Sequence, residues 1–167
     1  RTLLLGWNWR GATLIRELDG YVPQKSQLTI VTDSEEQIDQ IKGYSKELKN
    51  QSVKVTLGNP ITRQTLESLK VQTFDHIIVL SDSDRLSPQQ ADSRTLMTLL
   101  HLRNMAEKLG SNYTIVTEMQ DVRNRNLAEV TRADDFIVSD NLVSLLLAQV
   151  SENKGLNSVF KDMFDPE

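Results

Sequence analysis

Thr2-Leu3-Leu4-Leu5-Gly6-Trp7-Asn8-Trp9-Arg10-Gly11-Ala12 is the stretch that decides the fold. A short run rich in leucine stops at Gly6, turns through two tryptophans and an asparagine, and reaches Gly11. Beyond it Ala12, Leu14, Ile15 and Leu18 recur at helical spacing, so the reading is strand, turn, helix.

The same unit repeats downstream. Leu28 to Thr32 reads as a strand ending at Asp33, and Ser34 with Glu35, Glu36 and Gln37 reads as a helix start with acid near its positive end. Val53 to Leu57 leads through Gly58-Asn59-Pro60 into Leu66 and Leu69. His76 to Leu80 leads through Ser81-Asp82-Ser83-Asp84 into a long helix near Gln90 to Leu109. Thr114 to Thr117 and Asp135 to Val138 supply the fifth and sixth strands. Short apolar strands, each followed by a helix, call for a parallel sheet covered on both faces, with right-handed crossovers. The expected fold class is α/β, doubly wound.

The chain has 167 residues, which suits one domain with a sizeable core. Hydrophobic residues at 38% and charged residues at 25% fit a soluble globular domain. A net charge of -4 gives no global attraction to nucleic acid, and with no cysteine there is neither a disulfide nor a thiolate metal site. No apolar run approaches the roughly 18 residues needed to span a bilayer. The start, within two residues of a strand that reads as buried, suggests a segment of a longer protein.

Two regions are expected: a lobe over residues 1–140, and a helical extension over residues 141–167 directed toward a second lobe. In the extension, Leu142, Val143, Leu145, Leu146, Leu147 and Val150 cover more than one face of a helix from Asn141 to Glu152. Such a helix is buried either within its own domain or partly against another subunit. Val159, Phe160, Met163 and Phe164 mark a second amphipathic helix.

The dinucleotide fingerprint G-x-G-x-x-G places glycines for the turn, for pyrophosphate approach and for helix packing. Here the first and third are Gly6 and Gly11, and Asn8 stands at the second. Asparagine enters left-handed backbone more readily than most residues, so the turn is expected to survive, but its side chain competes with pyrophosphate for space. Arg10 is read as a phosphate ligand at the helix N-terminus or as a surface charge. Asp33, at the end of the second strand, is placed to hold ribose hydroxyls or else to cap the next helix. Asn59 and Asp82, after the third and fourth strands, complete the candidate cofactor set.

A calcium reading draws on Asp82, Asp84, Glu118 and Asp121, taken as lying after the fourth and fifth strands; the alternative is that they cap helices. An EF-hand starting at Asp82 is excluded by Ser87 and Ser93 at its sixth and twelfth positions. His76 and His101 have no partner at metal-ligand spacing. No acid, base and nucleophile assemble from the motifs, which favours binding over catalysis.

Four strings together resemble the cytosolic regulatory domain of the CASTOR/POLLUX family of ion channels: Gly6 to Gly11; Ala91-Asp92-Ser93-Arg94-Thr95-Leu96; Ala133 to Ser139; and Leu145-Leu146-Leu147-Ala148-Gln149. More broadly the chain is similar to the Rossmann-like lobe of domains that regulate potassium conductance. The resemblance implies a membrane pore in the same protein. It also implies cytosolic domains that pair with copies of themselves and build a tetrameric gating ring, and a last helix that crosses to a neighbouring domain. The implied ligand is NAD or an adenine nucleotide, or calcium. A passive assembly domain and a fragment of an NAD-dependent oxidoreductase are the alternatives.

Overall fold

The computed structural model describes residues 1–124, 135–153 and 155–163. Six strands form one sheet in the order β3-β2-β1-β4-β5-β6. They are β1 Thr2–Leu5, β2 Ser26–Thr32, β3 Gln51–Leu57, β4 His76–Val79, β5 Thr114–Met119 and β6 Asp135–Val138. Every neighbouring pair runs parallel, with Leu3 of β1 facing Thr29 on one side and Ile77 on the other. Among the described residues the α-helices are α1 Gly11–Tyr21, α2 Glu35–Ser45, α3 Arg63–Ser68, α4 Pro88–Leu109, α5 Ser139–Glu152 and α6 Leu156–Met163. The doubly wound α/β expectation therefore holds.

Alternation along β1 divides the core. Leu3 and Leu5 pack with Leu66 of α3 and with Leu99 and Leu102 of α4 on one face. Leu4 packs with Ile15 of α1 and Ile41 of α2 on the other. All three strand leucines are at most 1% exposed, as a strand covered on both sides requires. Each contributes about 1.5–3 kcal/mol by leaving water.

Strand edges depart from the apolar pattern at their polar ends. β2 begins at Ser26 and β3 at Gln51, each two residues before the first apolar position. For β3 the reason lies in Asp19 near the end of α1. Its buried carboxylate accepts the backbone N–H groups of Lys49, Asn50 and Gln51 at 2.8, 2.9 and 3.0 Å, and so fixes where β3 starts. Asp92 of α4 does the same for the chain leaving β5, accepting Gln120 and Asp121 N–H at 2.8 and 3.0 Å. β5 continues to Met119, so Glu118 lies within the strand and not after it.

The long helix starts at Pro88, whose missing N–H suits a first helical position, and ends at Gly110 with φ 63°. α5 starts at Ser139, two residues before the expected Asn141, and Asp140 thus falls on its first turn. Leu142, Val143, Leu145 and Leu147 of α5 are 46–67% exposed, so the rest of this chain does not bury them. No helix among the described residues is long and apolar enough to cross a membrane.

Sheet growth reverses at β1. The chain lays down β1, β2 and β3 outward in one direction, then returns to place β4 on the free side of β1. Connections leaving β1 and β4 diverge there, which opens a crevice at the carboxyl ends of these strands.

Candidate functional site at the sheet switch point

Gly6 begins the β1 to α1 turn with φ +86°, and a Cβ there would lie 2.8 Å from the Leu80 carbonyl oxygen. Both facts demand glycine. The third glycine has a different task from the one the fingerprint assigns it. A Cβ on Gly11 would sit 2.7 Å from the Trp7 indole, which is buried against the first turn of α1. Gly11 thus seats the protein's own tryptophan.

Asn8 keeps a negative φ: among the described residues only Lys25 and Lys70 have positive φ without being glycine. At Asn8 the turn is therefore held by side-chain bonds and not by left-handed backbone. Asn8 is 1% exposed. Its Nδ2 donates to the Ser81 carbonyl and to Glu118 Oε2, both at 2.8 Å, and its Oδ1 accepts the Arg10 N–H at 3.0 Å. Glu118, 6% exposed, also accepts the Ser81 N–H at 3.2 Å and pairs with Arg10 Nη1 at 2.6 Å. Arg10 in turn stacks over the exposed Trp9 ring at 4.2 Å. Beside this cluster the Ser81 hydroxyl is buried with no hydrogen-bond partner among the described residues.

The amides that follow Asn8 are also engaged. Trp9 N–H donates to Asp84 Oδ2 at 2.8 Å, and Gly11 N–H to the Asn8 carbonyl at 2.9 Å. Three successive N–H groups, Trp9, Arg10 and Gly11, therefore have acceptors inside the protein.

On the other side of Gly6 lies a small hollow floored by Leu5, Thr32, Ile61, Val79 and Leu80 and rimmed by Asp33, Asp82, Arg85 and Arg94. Neither Asn8, Arg10 nor Glu118 lines it. The rim is a closed set of ion pairs. Arg85 Nη2 reaches Asp33 Oδ1 at 2.7 Å and Asp82 Oδ2 at 2.8 Å, while Arg94 reaches Asp33 Oδ2 at 3.0 Å and Asp82 Oδ2 at 3.3 Å. Burial alone would raise the Asp33 pKa, but the hydrogen bonds and charges of Arg85 and Arg94 outweigh it and hold the carboxyl below its ordinary value. The bond to Asp82, then that to Asp33, raises the pKa of Arg85 despite partial burial. With the rim closed, the hollow is about 30 Å³, room for no more than a water or two.

Asp33 does not cap α2: its partners are two arginines, and the Ser34 N–H turns back to Thr32 Oγ1 at 3.2 Å. Asn59 makes a local turn, its Oδ1 accepting the Ile61 N–H at 3.0 Å, and leaves Pro60 and Ile61 to line the hollow. Arg10 is neither a free surface charge nor an open phosphate ligand. The four carboxylates expected to gather around calcium are held apart by different partners: Asp82 by Arg85 and Arg94, Asp84 by Trp9, Glu118 by Asn8 and Arg10, and Asp121 by Arg123. No group of three or more histidine, aspartate or glutamate side chains is arranged for a metal among the described residues. Arg85, Arg94 and Ser81 were not among the expected site residues. The i,i+3 spacing of Asp82 and Arg85 ahead of α4 was the available signal for Arg85.

The chain is similar in sequence and in fold to known proteins. The chain is 31% identical over 201 aligned residues to the ion channel CASTOR of Lotus japonicus, covering 100% of this chain and 23% of the channel. It therefore spans about a quarter of that relative's length. Its fold matches the TrkA-N domain of the Escherichia coli inner membrane protein ybaL with a TM-score of 0.64 at 12% identity, over 90% of this chain and 95% of that one. It also matches GsuK bound to ADP with a TM-score of 0.59 at 20% identity, over 82% of this chain and 30% of that one. The TrkA-N domain model matches residues 2–139, and on the strength of that match the chain belongs to the TrkA-N domain family.

Proposed function

We propose that this chain is a regulatory domain of a cation channel that senses an adenine nucleoside or nucleotide in the switch-point hollow, at the cytosolic face of a membrane. The observation that carries the reading is the rim of Asp33, Asp82, Arg85 and Arg94 closed over an apolar floor. Asp33 is held as a carboxylate, a group that only accepts hydrogen bonds, as a ribose diol requires. The floor offers Leu5, Ile61, Val79 and Leu80 to a base. GsuK, of the same fold, has been solved with ADP.

The closed rim also supplies a switch. A ribose entering the hollow takes Asp33 from Arg85 and obliges the loop after β4 to move, so the ligand prefers one of two arrangements, as regulation demands. Copies of the chain associating through the apolar face of α5 would carry that movement to a pore in the same protein. In this reading residues 1–140 are the sensing lobe, and 141–167 lead to a neighbouring lobe. The carboxylates' separate partners favour a nucleotide over calcium as ligand.

Binding, and not catalysis, is the better use of these groups. A general base works best with a pKa near the operating pH, and the arginines move Asp33 away from neutrality.

Thermal unfolding of the chain with AMP, ADP, ATP, NAD, NADH or calcium tests the proposal. A nucleotide at 100 times its dissociation constant stabilises the fold by about 2.7 kcal/mol, and Asp33→Ala is expected to remove that gain. Stabilisation by calcium alone, or by none of the six, would contradict it, the second outcome in favour of a passive assembly domain.

A further inference from the structure

A dinucleotide fingerprint serves pyrophosphate with turn amides, a positive helix end and empty space at the second glycine. In this chain the three amides that follow Asn8, and the space at the second glycine, are already taken by the protein. The N–H groups of Trp9, Arg10 and Gly11 go to Asp84, to the Asn8 side chain and to the Asn8 carbonyl. The space at the second glycine holds the buried Asn8 amide. Arg10, the cation nearest the helix start, is bound 2.6 Å from Glu118.

We propose that Glu118 is a resident anion that stands in for a ligand's pyrophosphate, so that the crevice accepts a single nucleoside or mononucleotide and excludes dinucleotides. The proposal rests on the nucleoside reading of the hollow given above.

Two physical arguments support it. Pyrophosphate at the start of α1 would have to take Arg10 and Asn8 from Glu118, a carboxylate only 6% exposed, and would add like charge beside it. The nucleoside hollow, in contrast, lies across Gly6 and shares no wall with Asn8, Arg10 or Glu118. One half of a dinucleotide therefore has a place, while the bridge to its second half meets an occupied site.

Isothermal titration of the 167-residue chain with adenosine, AMP and NAD provides the test, on wild type, Glu118→Gln and Asn8→Gly. Wild type is expected to bind adenosine and AMP, with NAD at least about tenfold weaker than AMP, a difference of about 1.4 kcal/mol. Glu118→Gln removes the resident charge and is expected to leave AMP within about twofold and to bring NAD level with it. Asn8→Gly restores the fingerprint and gives a second reading should Glu118→Gln unfold.

NAD binding to wild type as tightly as AMP, with both lost in Asp33→Ala, would overturn the resident-anion proposal and leave the crevice reading intact. Variants that weaken or strengthen AMP and NAD alike would also overturn it. If none of the three ligands binds the folded wild-type chain, the crevice reading fails and this proposal fails with it.

Discussion

Asn8 Nδ2 and Glu118 Oε2 meet at 2.8 Å across 110 positions of sequence, both residues buried. The bond ties the turn after β1 to the carboxyl end of β5. It passes beside Ser81, whose carbonyl and N–H belong to the same cluster.

Removing the amide leaves buried partners unsatisfied. Asn8→Ala is expected to destabilise the fold by about 2–4 kcal/mol, since Glu118, the Ser81 carbonyl and the Arg10 N–H each lose a hydrogen bond. Asn8→Asp is expected to be worse at neutral pH, because it sets a second carboxylate against Glu118. Urea unfolding at pH 7 and pH 5 measures both; an Asn8→Ala change below about 0.5 kcal/mol would contradict the assignment.

The two glycine positions 11 and 43 give opposite expectations. A Cβ at Gly11 meets the Trp7 ring at 2.7 Å, whereas one at Gly43 meets nothing within 4 Å. Gly11→Ala is expected to cost about 1–3 kcal/mol and to shift Trp7 fluorescence. Gly43→Ala, on exposed α2, is expected to add about 0.5–1 kcal/mol. Urea midpoints at constant m-value check the pair.

Asp33 contributes a pH dependence whose sign follows from its arginines. Its pKa is lower in the folded chain than its ordinary value of 3.8. The stabilisation is therefore present above the unfolded pKa and is lost as the pH falls through the folded one. Wild type is expected to lose stability more steeply than Asp33→Asn below about pH 4. Unfolding midpoints taken from pH 7 to pH 2.5 measure this, and parallel curves would contradict the ion-pair rim.

The apolar face of α5 predicts a separation between folding and association. Leu147, 67% exposed, is expected to tolerate Leu147→Glu with a stability change within about 0.5 kcal/mol. The same variant is expected to abolish self-association seen by sedimentation. Loss of folding, or unchanged association, would contradict a subunit interface on this face.

Much of the fold was legible because its strands carry their signal in leucine, isoleucine and valine, bounded by glycine and aspartate. Gln51 carries no strand signal of its own, because Asp19, distant in sequence, determines where β3 begins. The site was legible in part. Asn8 stands at the second glycine of the fingerprint, where the sequence places a side chain in the space for pyrophosphate, but its bond to Glu118 joins segments that only the fold brings together. Asp33 was placed at the crevice, yet its two arginines come from the β4 to α4 loop and from α4 itself. Four carboxylates near one sheet edge suggested calcium, and nothing in their spacing revealed that each has a different cationic or amide partner.

Hydrogen exchange with and without saturating AMP tests most directly where a ligand is seated. The account predicts slower exchange at residues 32–34 and 81–86, around the rim, with residues 9–11 of the first turn unchanged. Protection confined to residues 9–11, or no protection anywhere, would contradict a nucleoside sensor built on Asp33.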